Sequence, residues 1–98
     1  FNDGYAAANR GVSLLTETWA RIGAPQVRVN EIMLGFFETR HAQKTRGWGL
    51  LSAAQKKALM THTLLCRTGT IEDVVNAVIY ILRDAPFMTG SVLRLDGG

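Results

Sequence analysis

Cysteine is nearly missing from this 98-residue chain: Cys66 stands alone. No intrachain disulfide can form, so the fold has to rest on packing and hydrogen bonds. A single thiol fits a reducing compartment and with it a cytoplasmic location, and a buried, inert role is the expectation for it. Long apolar runs are lacking as well. None reaches the roughly 18 residues that a membrane helix needs, so no membrane partner is expected. The opening, Phe1-Asn2-Asp3, has no initiator methionine, no basic start and no apolar run, so no signal peptide is read. The chain is expected to be processed or to belong to something longer. Acidic residues are absent from one long stretch: between Arg40 and Arg67 there is no Asp or Glu, while Arg40, Lys44, Arg46, Lys56, Lys57 and Arg67 are basic and His41 and His62 lie among them.

That stretch carries the whole of the net charge of +3 and more. It suits an anion such as a nucleotide phosphate, an acidic carrier protein or a nucleic acid; it suits equally a solvated surface loop. No recognised nucleic-acid motif accompanies it and little aromatic interleaving, so nucleic acid is not an expected partner. His41, His62 and Cys66 lack the spacing and the fourth ligand of a zinc site, so no metal is expected. A hydrophobic fraction of 47% describes a folded chain, and its length allows one small domain.

The periodicity predicts a helix from about Ala6 to Ile22, with Val12, Leu15, Trp19 and Ile22 forming one apolar stripe. Gly23 reads as its C-cap, and Pro25 keeps the helix from resuming. Gly11 inside it costs about 1 kcal/mol against alanine. The β-branched run Val27 to Met33 reads as a strand, left through Gly35. Arg40 to Gly49 has no period and reads as a loop. Ser52 and Gln55 form a capping box that starts a short helix reaching about Thr61. Thr70 and Asp73 form a second box, and the helix behind it is predicted to bury Val74, Val75, Val78, Ile79 and Leu82 before Pro86 ends it. Ser91 to Leu95 reads as the last strand.

The order is helix, strand, short helix, helix, strand. A strand, a crossover helix and a second strand make a right-handed parallel βαβ unit. Two parallel strands bury too little surface to stand alone. The expected fold class is therefore α/β, the C-terminal part of a doubly wound parallel-sheet protein.

Five local patterns, in order, carry a resemblance. Tyr5-Ala6-Ala7-Ala8-Asn9 at a helix entrance is similar to a Tyr-x-x-x-Lys motif with asparagine in the lysine's place. Val27-Arg28-Val29-Asn30 is similar to an "RVN" strand. Leu34-Gly35-Phe36-Phe37-Glu38-Thr39 is similar to a Pro-Gly-x-x-x-Thr turn with leucine for proline. Arg67-Thr68-Gly69-Thr70-Ile71-Glu72-Asp73 is similar to "R-x-G-x-P-E-E" with isoleucine for proline. Thr89 to Val92 and Asp96-Gly97-Gly98 are similar to a terminal strand and its stop. Together these resemble the short-chain dehydrogenase/reductase family, over nearly the whole chain but over only the second half of that family's Rossmann-like fold. No G-x-G-x-x-G loop for a dinucleotide pyrophosphate is present, and the family's catalytic serine would precede the tyrosine by about a dozen residues, outside this chain. The 98-residue chain alone is thus expected to bind a dinucleotide poorly and to be inactive.

The resemblance divides the chain into residues 1–39 (active-site helix, strand and turn), 40–69 (substrate lid) and 70–98 (last helix and strand). It implies an NAD or NADP cofactor, a small-molecule carbonyl or alcohol substrate, and a homodimer or homotetramer. It gives Tyr5 the part of general acid. A phenol of ordinary pKa near 10 is a poor proton donor at neutral pH, and the family's lysine assists it by charge while bonding the nicotinamide ribose. Asn9 keeps the hydrogen-bonding capacity without the charge. Arg10 is no substitute, being turned about 100° around the helix from position 9. Gly35, the backbone of Phe37 and Thr39 are implied at the cofactor, and Trp48 between Gly47 and Gly49 at the substrate lid. Plainer readings stand beside these: Tyr5 as a helix-start tyrosine, the two phenylalanines as core, Gly35 as a turn glycine, Trp48 as a plug in a surface groove. The alternative for the protein as a whole is a catalytically silent relative that serves as an oligomeric or partner-binding subunit.

Overall fold

Asn2, not Ala6, marks where the first helix starts. In the computed structural model, which describes residues 2–37 and 51–98, the Asn2 side chain accepts the N–H of Tyr5 at 3.1 Å and its carbonyl accepts that of Ala6 at 3.0 Å. An N-cap of this kind satisfies donors the first turn would leave open, and Asp3 in that turn complements the helix dipole. Helix α1 then runs Asp3–Gly23. Gly23 is its last residue rather than the cap; extended Ala24 caps it, with its N–H on Ala20 O at 3.1 Å.

The remaining elements are strand β1 (Glu31–Leu34), helix α2 (Ala53–His62), helix α3 (Ile71–Ile79), a π-helical turn (Tyr80–Asp84) and strand β2 (Val92–Leu95). The two strands form a two-stranded sheet. Glu31 N–H donates to Ser91 O at 2.9 Å and Gly35 N–H to Leu95 O at 3.0 Å. The two bonds advance equally along both strands in the same direction, so the pair is parallel, as the βαβ pattern predicts. The chain divides into two compact units, residues 1–32 with 79–93 and residues 33–78 with 94–98.

In the first unit the side of α1 that packs is a line of small residues. Thr16 and Ala20 are buried, and the Thr16 hydroxyl is satisfied by Val12 O at 2.9 Å. The apolar stripe lies about one residue around the helix from that line: Val12, Leu15, Trp19 and Ile22 are all exposed. Residues 27–30, predicted as strand, are outside the ladder. Val27 N–H turns back to Gly23 O at 2.8 Å and Val29 O accepts Gly90 N–H at 2.7 Å, and other polar groups of the segment go to the connection before β2 through side chains. Arg28 spreads its guanidinium over the carbonyls of Ala85 and Ile81 at 3.0 Å, Met88 at 3.1 Å and Leu82 at 3.4 Å. Asn30 donates to Met88 O at 3.0 Å and accepts Ser91 N–H at 3.2 Å. Val29 N–H donates to the Thr89 hydroxyl at 3.1 Å. With those groups already spent, strand pairing begins only at Glu31. The carbonyls that Arg28 takes are those left open where the helix widens into its π turn and stops. Glu31 itself keeps one buried carboxylate oxygen with no hydrogen-bond partner among the described residues, a cost that the ladder around it has to offset.

In the second unit both predicted capping boxes are present. Ser52 N–H meets Gln55 Oε1 at 2.8 Å and Gln55 N–H meets Ser52 Oγ at 3.2 Å. Thr70 N–H meets Asp73 Oδ2 at 2.9 Å and Asp73 N–H meets Thr70 Oγ1 at 3.2 Å. Thr63 is buried, and α2 buries none of its own residues. The predicted buried side of the last helix is corrected: Val74 is half-buried, while Val75, Val78, Ile79 and Leu82 are exposed and Ala77 is the residue that packs. Apolar periodicity marks the face that favours burial, and within the described residues that face has nothing to bury against. Cys66, expected buried, is exposed as well. The predicted loop from Arg40 to Gly49 lies outside the described residues.

Candidate functional site

The two halves of the expected site belong to different units. Tyr5 and Asn9 are on α1 in the first; Gly35 and Phe37 follow β1 in the second. Thr39, Trp48 and His41 lie outside the described residues.

Tyr5 is the third residue of α1, held there by the Asn2 cap on its own N–H. Its side chain is 62% exposed. Asn9 follows one turn later and about 40° around the helix, so the two side chains leave the same face. That face borders the line of Thr16 and Ala20, the side on which α1 packs. The cap was legible: an asparagine three residues before the tyrosine and just ahead of an alanine-rich helix is a standard start signal. The alanine run drew the predicted boundary too far in.

At the exit of β1 the backbone is crowded on one side. A methyl group on Gly35 would lie 2.7 Å from both Cα and Cβ of Asp96. Glycine is required at this position by the chain's own packing, which adds a reason for it beside approach to a cofactor. Two residues on, Phe37 forms a parallel bridge with Gly69, in which Gly69 N–H donates to Phe36 O at 2.8 Å. In such a bridge the partner strand bonds the neighbours of the bridged residue, and the residue's own N–H and C=O face the other way. Phe37 therefore turns one donor and one acceptor away from Gly69. The Phe37 ring is half-buried and sits over Gly69, while Phe36 is exposed, so neither phenylalanine is a buried core residue among the described residues.

Beside that ring lies a cleft of about 70 Å³ lined by Phe37, Leu65, Gly69, Asp73 and Asp96 among others. Ligand pockets run to several hundred Å³, more than the described residues enclose in this cleft. Its charged wall is spoken for: Arg67 grips Asp73 through two hydrogen bonds, at 2.8 and 3.4 Å. The Arg67 hydrogen bond, reinforced by the Thr70 N–H, holds the Asp73 carboxyl far below the usual carboxylate range, and the same bond raises the Arg67 guanidinium. Arg67 is thus not a free member of the basic stretch. Of that stretch only Lys56, Lys57, His62 and Arg67 fall within the described residues, and no helix among those residues is long and apolar enough to cross a membrane.

A family model described as Enoyl-(Acyl carrier protein) reductase matches residues 1–98. The 3-oxoacyl-[acyl-carrier-protein] reductase of Thermotoga maritima is 31% identical over 96 residues, which cover 96% of this chain and 37% of that protein. Among solved structures, a short-chain dehydrogenase/reductase (glucose/ribitol dehydrogenase) from Brucella melitensis superposes with a TM-score of 0.85 at 28% identity, covering 99% of this chain and 38% of its own. A small-chain dehydrogenase in complex with NADPH gives 0.79 at 26% identity, over 99% of this chain and 42% of that one. 4-Hydroxyisoleucine dehydrogenase complexed with NADH gives 0.75 at 26% identity, over 96% and 37%. The chain spans somewhat more than a third of the length of the relatives it matches, and the parallel α/β arrangement is the one they share.

Proposed function

Because the chain belongs to the short-chain dehydrogenase/reductase family, we propose that the whole protein is an NAD(P)-dependent oxidoreductase that reduces a small carbonyl compound or oxidises an alcohol. The observation that carries this reading is the bridge at Phe37. It leaves one backbone donor and one backbone acceptor facing away from Gly69 at the exit of β1, the pair a nicotinamide carboxamide needs. By the family resemblance Gly35 and Thr39 would contact the cofactor and Trp48 the substrate. Similar structures hold NADPH in one case and NADH in another, so both dinucleotides belong in the first assay.

A bound nicotinamide supplies the hydride or receives it. Tyr5 holds the proton that goes to the carbonyl oxygen, and takes it back in the alcohol direction. The Asn2 cap fixes the turn from which its side chain leaves. Asn9 donates and accepts hydrogen bonds at the ribose hydroxyls. It does the hydrogen-bonding half of a lysine's work and not the electrostatic half. The exposed stripe on α1 (Val12, Leu15, Trp19, Ile22) supports assembly as a homodimer or homotetramer.

Replacing Tyr5 by Phe removes the transferable proton and abolishes NAD(P)H-dependent turnover of the whole protein; unchanged turnover would take Tyr5 out of the mechanism. Asn9 also favours a second reading, a silent relative whose role is to bind a nucleotide or a partner. Asn9→Lys separates the two: a large rise from a negligible rate marks an activity that this chain has lost, whereas a substantial rate with asparagine in place shows that the neutral residue suffices.

A further inference from the structure

Resting on that reading of Phe37, we propose that Gly69 is a positioning residue for the cofactor-facing backbone at the exit of β1. Gly69 is far from Phe37 in sequence and has no side chain to offer a ligand, so no motif assigns it this part. Three observations do. Its N–H donates to Phe36 O at 2.8 Å, and the bridge this makes sets the direction in which the N–H and C=O of Phe37 point. A methyl group built on Gly69 would run into the Phe37 ring, meeting Cε1, Cζ and Cδ1 at once. The loop that presents Gly69 is itself fastened on both sides. Before it, Arg67 donates to Thr68 O at 3.0 Å and to Asp73; after it, Thr70 and Asp73 cap α3 and each other.

The consequence follows from stiffness. The loop is tied down twice, and the ring pivots only about two torsions in a half-buried site. A side chain at position 69 therefore pushes on the ring, and the ring carries the push into the backbone of residues 36 and 37. Displacements of that size matter where a ligand is held by one donor and one acceptor. Gly69 touches no cofactor atom in this account; it acts through Phe37.

The test is a double-mutant cycle on the whole protein, reading the dissociation constants of NADH and NADPH by their fluorescence, with thermal unfolding followed in parallel so that every titration is made on folded protein. Gly69→Ala raises the Kd of the preferred dinucleotide by about tenfold, which is the loss of about 1.4 kcal/mol of binding. In a Phe37→Ala background, whatever that single change does to affinity, adding Gly69→Ala raises Kd no further, because the ring that transmits the push is gone. An unaltered Kd in Gly69→Ala overturns the inference and leaves the oxidoreductase reading intact, as does an equal loss in both backgrounds. Should Gly69→Ala alone fail to fold, the comparison of Phe37→Ala with the double variant decides: equal Kd supports the inference, and a weaker double overturns it. If the unsubstituted protein binds neither dinucleotide, the oxidoreductase reading falls, and the inference with it.

Discussion

The two units are held together by different means. The first, residues 1–32 with 79–93, depends on long side chains that reach backbone groups more than fifty residues away: Arg28 on four carbonyls, Asn30 on Met88 and Ser91, Thr89 on Val29. The second, residues 33–78 with 94–98, depends on residues with little or no side chain at close approaches, Gly35 on Asp96 and Gly69 on Phe37, and on caps that close within three residues. One unit is fastened by what its side chains donate and accept, the other by where side chains are missing.

The sharpest way to break that contrast is Arg28→Ala. Several carbonyls at the end of the π turn lose a charged donor together, and hydrogen bonds to charged groups are worth about 1.5 to 3 kcal/mol each. Carbonyls that regain water recover part of that, so we expect the variant of the whole protein to lose about 3 kcal/mol in urea unfolding. Arg28→Lys recovers only part of the loss, since an ammonium cannot fork across the same set. A loss below about 0.5 kcal/mol would show that the guanidinium is a bystander.

The second unit is tested by addition rather than removal. Gly35→Ala places a methyl group against the backbone of Asp96, and overpacking of this kind costs about 1 to 3 kcal/mol. The same chemical change at Gly4, in the first turn of α1, where a methyl group would have no neighbour within 4 Å, is the control: it costs nothing and gains up to about 1 kcal/mol from helix propensity. Equal effects at the two positions would mean that close approach is not what holds Gly35.

Smaller still are the caps. Ser52→Ala and Thr70→Ala each cost about 1 kcal/mol by loss of the bond to the third helical N–H. These two devices were the part of the fold most legible in the sequence, and the reason is their span: donor and acceptor sit three residues apart, so a tetrapeptide carries all the information. The Asn2 cap has the same span and was passed over for the alanines behind it. Arg28 is the opposite case. Val27 to Asn30 has the composition of a strand, and nothing local reveals that its polar groups are committed to residues 81–91, so the predicted strand came out four residues too long at its start. The apolar stripes misled in a third way. Val12, Leu15, Trp19 and Ile22 on α1, and Val75, Val78 and Leu82 at the other end of the chain, are exposed, while the residues that pack are Thr16, Ala20 and Ala77. Periodicity records a preference for burial, and small residues record where backbones come close.

The candidate site was legible to the extent that it is local. Tyr5 and Asn9 share a face because they are one turn apart, and the exit glycine was read from its place after a strand. The pairing of Phe37 with Gly69 crosses from the end of β1 to the start of α3, and no spacing rule reaches it.

The smallest expected effect is in acid. The Asp73 carboxyl is lowered by the Arg67 hydrogen bond first and the Thr70 N–H second. Its folded-state pKa is depressed, so its contribution is fully present above its unfolded value of 3.8 and is lost as pH falls through the folded value. The stability gap between the unsubstituted protein and Arg67→Ala should therefore be flat from pH 7 to about pH 5 and close below about pH 4. The pair is exposed, so the gap is small and shrinks with added salt. A gap that widened in acid would contradict the assignment.

The central claim is that this chain supplies the proton-transferring helix and the nicotinamide-facing strand exit of a dinucleotide-dependent oxidoreductase. It is tested most directly by titrating the whole protein with NADH and with NADPH and following fluorescence. The account predicts saturable binding of at least one of them, weakened by Gly69→Ala. Absence of binding by either, in protein shown to be folded, would contradict it.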